Sequence, residues 1–147
     1  MTNIRPSRPR DAIELAPKLR EADVQDIKVV TGETPLTALQ RGLEGTVCFT
    51  AELDGEAVAM FGYADDNQGG AVIWFLSTEV VVQRPIEFVK TARRWLNWLN
   101  QKYHLYNWIH KDNEKHIRWL AREGFTFFET DKQGVCTFFR RQPCVPR

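Results

Sequence analysis

The residues of this chain best suited to proton chemistry gather around one segment. His116 lies three residues after Asn113, and His110 closes the apolar run just before them. An imidazole titrates near neutral pH, so either histidine could deprotonate an amine or protonate a thiol leaving group. Glu79 follows the apolar run Ala71–Leu76, where a carboxylate could activate an amine or a water. Each residue also has a plain structural use. His116 suits a packing histidine bonded to backbone, Glu79 a solvated edge acid, and Asn113 a helix N-cap for which Asp112 competes. No Ser–His–Asp or Cys–His order stands out. Three cysteines and three histidines at irregular spacing give neither a zinc pattern nor a disulfide framework.

The elements that must position these residues are legible in order. Thr2–Pro6 reads as a short strand. Asp11 opens a helical pattern that Pro17 breaks, Glu21–Val30 is a second helix, and Pro35–Arg41 a third with Thr34 as its cap. Gly42 and Gly45 are expected to end that third helix. Thr46–Leu53 and Glu56–Tyr63 alternate as strands around Asp54-Gly55, the strongest hairpin signal in the chain. After the polar turn Ala64–Gly70, the run Ala71–Leu76 is apolar on both faces and reads as a central strand. Ser77–Arg84 connects it to a long amphipathic helix, Pro85–Lys102. Leu105–His110 is a strand, Lys111-Asp112-Asn113 opens a short helix, and Gly124 stops it. Thr126–Glu129 and Val135–Arg140 complete the strands, and residues 141–147 form a loose tail. The layout predicts an α/β fold, a mixed and mostly antiparallel sheet with helices on both faces, as one domain over residues 1–140.

Composition bounds the partners. The net charge is +1 over 147 residues, which speaks against a broad nucleic-acid surface. No window is apolar enough to span a bilayer, and the N-terminus lacks the apolar core of a signal peptide. Arg84, Lys90, Arg93 and Arg94 make the long helix basic, as a phosphate contact or a solvated face. Five tryptophans and nine phenylalanines are many for so short a chain; they suit core packing, an apolar groove or a subunit contact, and Trp98, on the polar side of its helix, suits a contact surface or an ordinary exposed aromatic.

Three stretches together resemble the GCN5-related N-acetyltransferase (GNAT) fold. They are the opening NIRPSRPRDA, the hairpin ELDGEAVAMFGY, and NWIHKDNEKHIRWLAREGFTFF, in which Asn113, Gly124 and Phe125 fill the family's places. A closer resemblance is to a small group of tailed-phage proteins with this fold, those similar to the internal virion protein A of T7-like phages. It rests on DVQDIKVVTG, AVAMFG, WFLST, RRWLNWL and N-x-x-HIRWL-x-x-x-GF.

The GNAT resemblance implies acetyl-CoA as cofactor. Leu76, Ser77, Thr78, Gln83, Arg84, Pro85, Ile86 and Asn113 would bind it, and His116, His110 or Glu79 would act as catalytic groups. Two departures stand against this. The family's glycine-bearing pyrophosphate loop corresponds here to Val80–Ile86, which has no glycine, although a helix N-terminus still attracts anions without one. The family's tyrosine is absent near Leu120–Glu123. Two functions stay open. One is an N-acyltransferase moving an acetyl group from acetyl-CoA to a small-molecule or protein amine. The other is a catalytically silent phage protein of virion assembly, ejection or host interaction, whose partner is a phage or host protein and whose anchors are Trp98 and Trp119. The implied location is the host cytoplasm or the virion, and a homodimer is compatible with either function.

Overall fold

The computed structural model describes residues 2–83 and 85–144, with the backbone alone at 85 and 86. The strands are β1 (Thr2–Pro6), β2 (Val47–Leu53), β3 (Glu56–Asp65), β4 (Gly70–Ser77), β5 (His104–His110), β6 (Thr126–Glu129) and β7 (Val135–Arg140). The helices are α1 (Pro9–Leu15), α2 (Glu21–Thr31), α3 (Pro35–Gly45), α4 (Glu79–Gln83), α5 (Pro85–Asn100) and α6 (Glu114–Arg122). The strands form one sheet in the order β1-β2-β3-β4-β5-β7-β6. Among the described residues, only β4 and β5 run parallel, joined through α5. The architecture is the mixed, mostly antiparallel α/β sheet that the sequence predicts.

Local chemistry explains the element ends. Asp54 and Gly55 both adopt positive φ, 52° and 85°, as a tight two-residue hairpin requires. Gly32 at φ 75° caps α2. The Thr34 hydroxyl accepts the Thr37 N–H at 3.3 Å and starts α3 beside Pro35. Pro17 breaks the first helical run into a 3-10 turn at Ala16–Lys18.

Two expectations fail. Helix α3 runs through Gly42 to Gly45 instead of ending at Arg41. Gly42 is there for close approach: a Cβ on it would lie 2.6 Å from Cζ2 of Trp74. The stretch after β4 is not a plain connection either, because Glu79–Gln83 forms α4.

Strand alternation sends successive side chains to opposite layers. Trp74 and Leu76 of β4 pack with Leu15, Leu39 and Met60 under α1–α3. Ala71 and Ile73 pack with Leu96, Leu99, Leu105, Ile109 and Leu120 under α5 and α6. Burying each such leucine contributes roughly 1.5–3 kcal/mol, so both faces of β4 are anchored. The other half of the sheet is asymmetric. Leu105, Ile109, Cys136 and Phe138 face the α5–α6 layer, whereas Trp108, Thr137 and Phe128 stand side by side in register on the opposite face. There Trp108 is 44% and Phe128 55% exposed.

Candidate functional site

β4 and β5 pair only over Gly70–Val72 and His104–Tyr106, then diverge. A cleft of about 1010 Å³ runs along and through the opening. Phe75, Trp95, His116 and Trp119 line it from the α5–α6 side, and Asp26, Ile27 and Trp74 from the α2–α3 side.

The residues expected to act are separated by this geometry. His116 reaches the cleft. Its ring lies 6.3 Å from Phe75 and 5.7 Å from Trp119. Burial pushes its pKa down, so the imidazole is neutral at pH 7, and no side-chain hydrogen bond holds it among the described residues. His110 and Glu79 do not line the cleft. The His110 ring sits 3.6 Å from the Asp112 carboxylate. Glu79 is exposed at the start of α4.

Of the expected cofactor contacts, Leu76 lines the cleft. Ser77 and Asn113 are each 1% exposed and Thr78 is 7% exposed. The Ser77 and Thr78 hydroxyls are buried without hydrogen-bond partners among the described residues. Gln83 is exposed at the end of α4. Arg84 and the side chains of Pro85 and Ile86 lie outside the described residues. Asn113 stands at the N-cap position of α6 but makes no side-chain cap. Its Oδ1 instead accepts from Arg20 Nη2 at 3.1 Å, and its Nδ2 donates to Asp23 Oδ1 at 3.5 Å.

Helix α2 therefore supplies the polar part of the site, which the sequence did not single out. Asp23 Oδ2 accepts the Ser77 N–H at 3.0 Å, and Arg20 Nη1 lies 3.9 Å from Asp23 Oδ1. One turn on, Asp26 Oδ1 accepts the His110 N–H at 2.5 Å. Burial raises the Asp26 pKa to about 7, with the nearby Asp23 charge adding to the rise. The signal was present as Asp23 and Asp26 at i, i+3 on one helix face. Their partners, however, lie 54 and 84 residues away.

The fit of acetyl-CoA to these residues is poor. The loop from Val80 to Gln83 is helical and has no glycine. The backbone groups of Ser77, at the end of β4, already have partners in Asp23 of α2 and in Arg20 just before it.

The architecture is that of the GNAT acetyltransferases. An acetyltransferase from Thermus thermophilus superposes with a TM-score of 0.69 at 19% identity, covering 95% of this chain and 96% of that one. A GNAT-family acetyltransferase from Bacillus anthracis gives 0.69 at 11% identity over 96% and 95%. An N-acetyltransferase from Staphylococcus aureus gives 0.64 at 13% over 97% and 98%. At these identities the likeness is one of fold. Residues 47–130, from β2 through β6, match the family described as "Bacteriophage T7, probable scaffold protein Gp13", and the chain belongs to that family. No curated protein matches the sequence. No helix among the described residues is long and apolar enough to cross a membrane.

Proposed function

We propose that this chain is a virion-associated phage protein that uses the GNAT fold as a scaffold, acting in particle assembly or ejection through protein contacts and without acetyl transfer. The observation that carries this reading is the aromatic face of β5, β7 and β6, where Trp108 and Phe128 stand exposed on either side of Thr137. Exposed large aromatics in a row are the residue types that anchor protein interfaces. Trp98, 47% exposed with Lys102 Nζ 4.2 Å from its ring centroid, adds an anchor on α5. Trp119 does not serve this role, since it packs against the core of the α5–α6 layer. Family membership supports the reading, because the family carries the description of a scaffold protein. The partner is then another phage protein or a host protein, and the site of action is the host cytoplasm during assembly and the particle thereafter.

The test is the composition of purified particles. The protein should copurify in several copies per particle, and Trp108→Ser with Phe128→Ser should reduce its incorporation while leaving the chain folded. A particle population free of the protein would refute the reading.

The alternative is an N-acyltransferase moving the acetyl group of acetyl-CoA to an unidentified amine. It is supported by the neutral, unbonded His116 in the cleft and by the orphan Ser77 and Thr78 hydroxyls. His116 would accept the amine proton as nitrogen attacks the thioester carbon and the thiolate departs. Turnover of acetyl-CoA with candidate amines, abolished by His116→Gln, would establish it.

A further inference from the structure

Where β4 and β5 diverge, each strand turns a row of backbone groups into the opening. On β4 these belong to Ile73, Phe75 and Ser77, alternating with residues that face β3. The phase is fixed at the next residue: the Thr78 N–H crosses to Val58 O of β3 at 2.9 Å. On β5 they belong to Trp108 and His110, in phase with the His104 N–H, which reaches across to Gly69 O at 3.1 Å. A ligand arm that docked here as an added strand would need these groups free.

The chain itself fills those of Ser77 and His110 and one each on Ile73 and Trp108, while Phe75 keeps its groups toward the cleft. Asn107 Nδ2 donates to Ile73 O at 2.6 Å, and Asn107 Oδ1 accepts the Trp108 N–H at 2.7 Å. The Arg20 N–H donates to Ser77 O at 2.9 Å, and Asp23 Oδ2 takes the Ser77 N–H. Asp26 takes the His110 N–H, and the Asn113 N–H donates to His110 O at 3.0 Å. Asp23 and Asp26 sit one turn apart on one face of α2. One carboxylate therefore grips β4 and the other grips β5. Arg20, 8% exposed, and Asn113 lock the first of them in place.

We infer that α2 is a clasp across the open part of the sheet, holding β4 and β5 through Asp23 and Asp26 and closing the Ser77 and His110 end of the strand edge to the pantetheine arm of acetyl-CoA. The clasp is a joint of the folded chain, and at that end of the cleft the strand edge is taken by the protein's own helix. A ligand arriving at this end would have to withdraw both carboxylates and break the contacts of Arg20 and Asn113 with Asp23.

Amide hydrogen exchange on the full-length protein, with and without acetyl-CoA at about 1 mM, tests it. The Ser77 and His110 amides are expected to exchange slowly in the free protein. Their rates should not change with acetyl-CoA, and calorimetry should show no binding heat. In Asp23→Ala/Asp26→Ala those two amides should exchange roughly tenfold faster or more. The β2–β3 amides, which have strand partners, should keep their protection and report that the variant is folded. If the variant does not fold, the wild-type measurements decide alone. Binding of acetyl-CoA by the wild-type protein below about 1 mM, with altered exchange at Ser77 or His110, overturns the inference. So does unprotected exchange of these amides in the free protein, or unchanged exchange at both in a folded variant.

Discussion

Replacing Asp26 with asparagine should remove a pH-dependent weakness of the fold. Burial lifts the Asp26 pKa from the ordinary 3.8 to about 7, against the pull of the His110 N–H and Arg20. The folded state therefore holds its proton over a range where the unfolded chain has already released it. Stability from this group is complete below about pH 4, declines as pH rises toward 7, and changes no further above that. At about 1.4 kcal/mol per pH unit, the loss across this window is at most on the order of 4 kcal/mol. His116 works in the opposite direction. Its pKa is lowered by burial, so its contribution is lost as pH falls below the ordinary histidine value of 6.5. Subtracting one urea titration from the other isolates Asp26. Asparagine keeps an oxygen to accept the His110 N–H but carries no charge. The variant should match wild type near pH 4 and exceed it by a few kcal/mol near pH 8. Urea unfolding of both proteins at intervals between those limits measures the difference. A difference that is flat with pH, or that shrinks as pH rises, would refute the reasoning.

Three other substitutions probe the frame. Gly42→Ala should destabilise the protein by roughly 1–3 kcal/mol despite the better helix propensity of alanine, because the new methyl meets the Trp74 ring. Thermal unfolding followed by tryptophan fluorescence reads both effects. Arg5→Ala should cost about 3–5 kcal/mol. It strands Asp11, which is 1% exposed, 2.7 Å from the guanidinium and held below the usual carboxylate range by Arg5, the Arg8 N–H and Thr50 against the cost of burial. Chemical denaturation at neutral pH checks it. Trp108→Ser and Phe128→Ser should each cost about 1–2 kcal/mol, since both side chains are about half exposed. Calorimetry should therefore find them folded, even where particle incorporation fails.

Much of the fold was readable because its signals are local. The Asp54-Gly55 turn, the Thr34-Pro35 helix start and the evenly apolar β4 each declare themselves within a few residues. Gly124 also lies where the sequence puts a helix stop, at φ 89°. Gly42 misled for the same reason in reverse: a glycine reads locally as a stop, while its use here is contact with Trp74, far along the chain. The site was less legible. Leu76 and His116 were found in sequence and line the cleft. Asn113 was weighed as a cap or a cofactor contact, and its amide makes no cap, being turned inward to Arg20 and Asp23. The clasp of Asp23 and Asp26 pairs side chains with backbone N–H groups, and backbone groups carry no sequence signature. Trp108 and Phe128 were hidden by their strands, because exposure of one sheet face depends on which strands the helices leave uncovered.

We propose that this chain works by contact through its aromatic sheet face and not by transferring acetyl groups. Complementation of a phage lacking this gene tests it directly. Trp108→Ser/Phe128→Ser should fail to restore infectious particles although the protein is made and folded, and His116→Gln should restore them. Full rescue by the aromatic-face variant together with failure of His116→Gln would contradict the account.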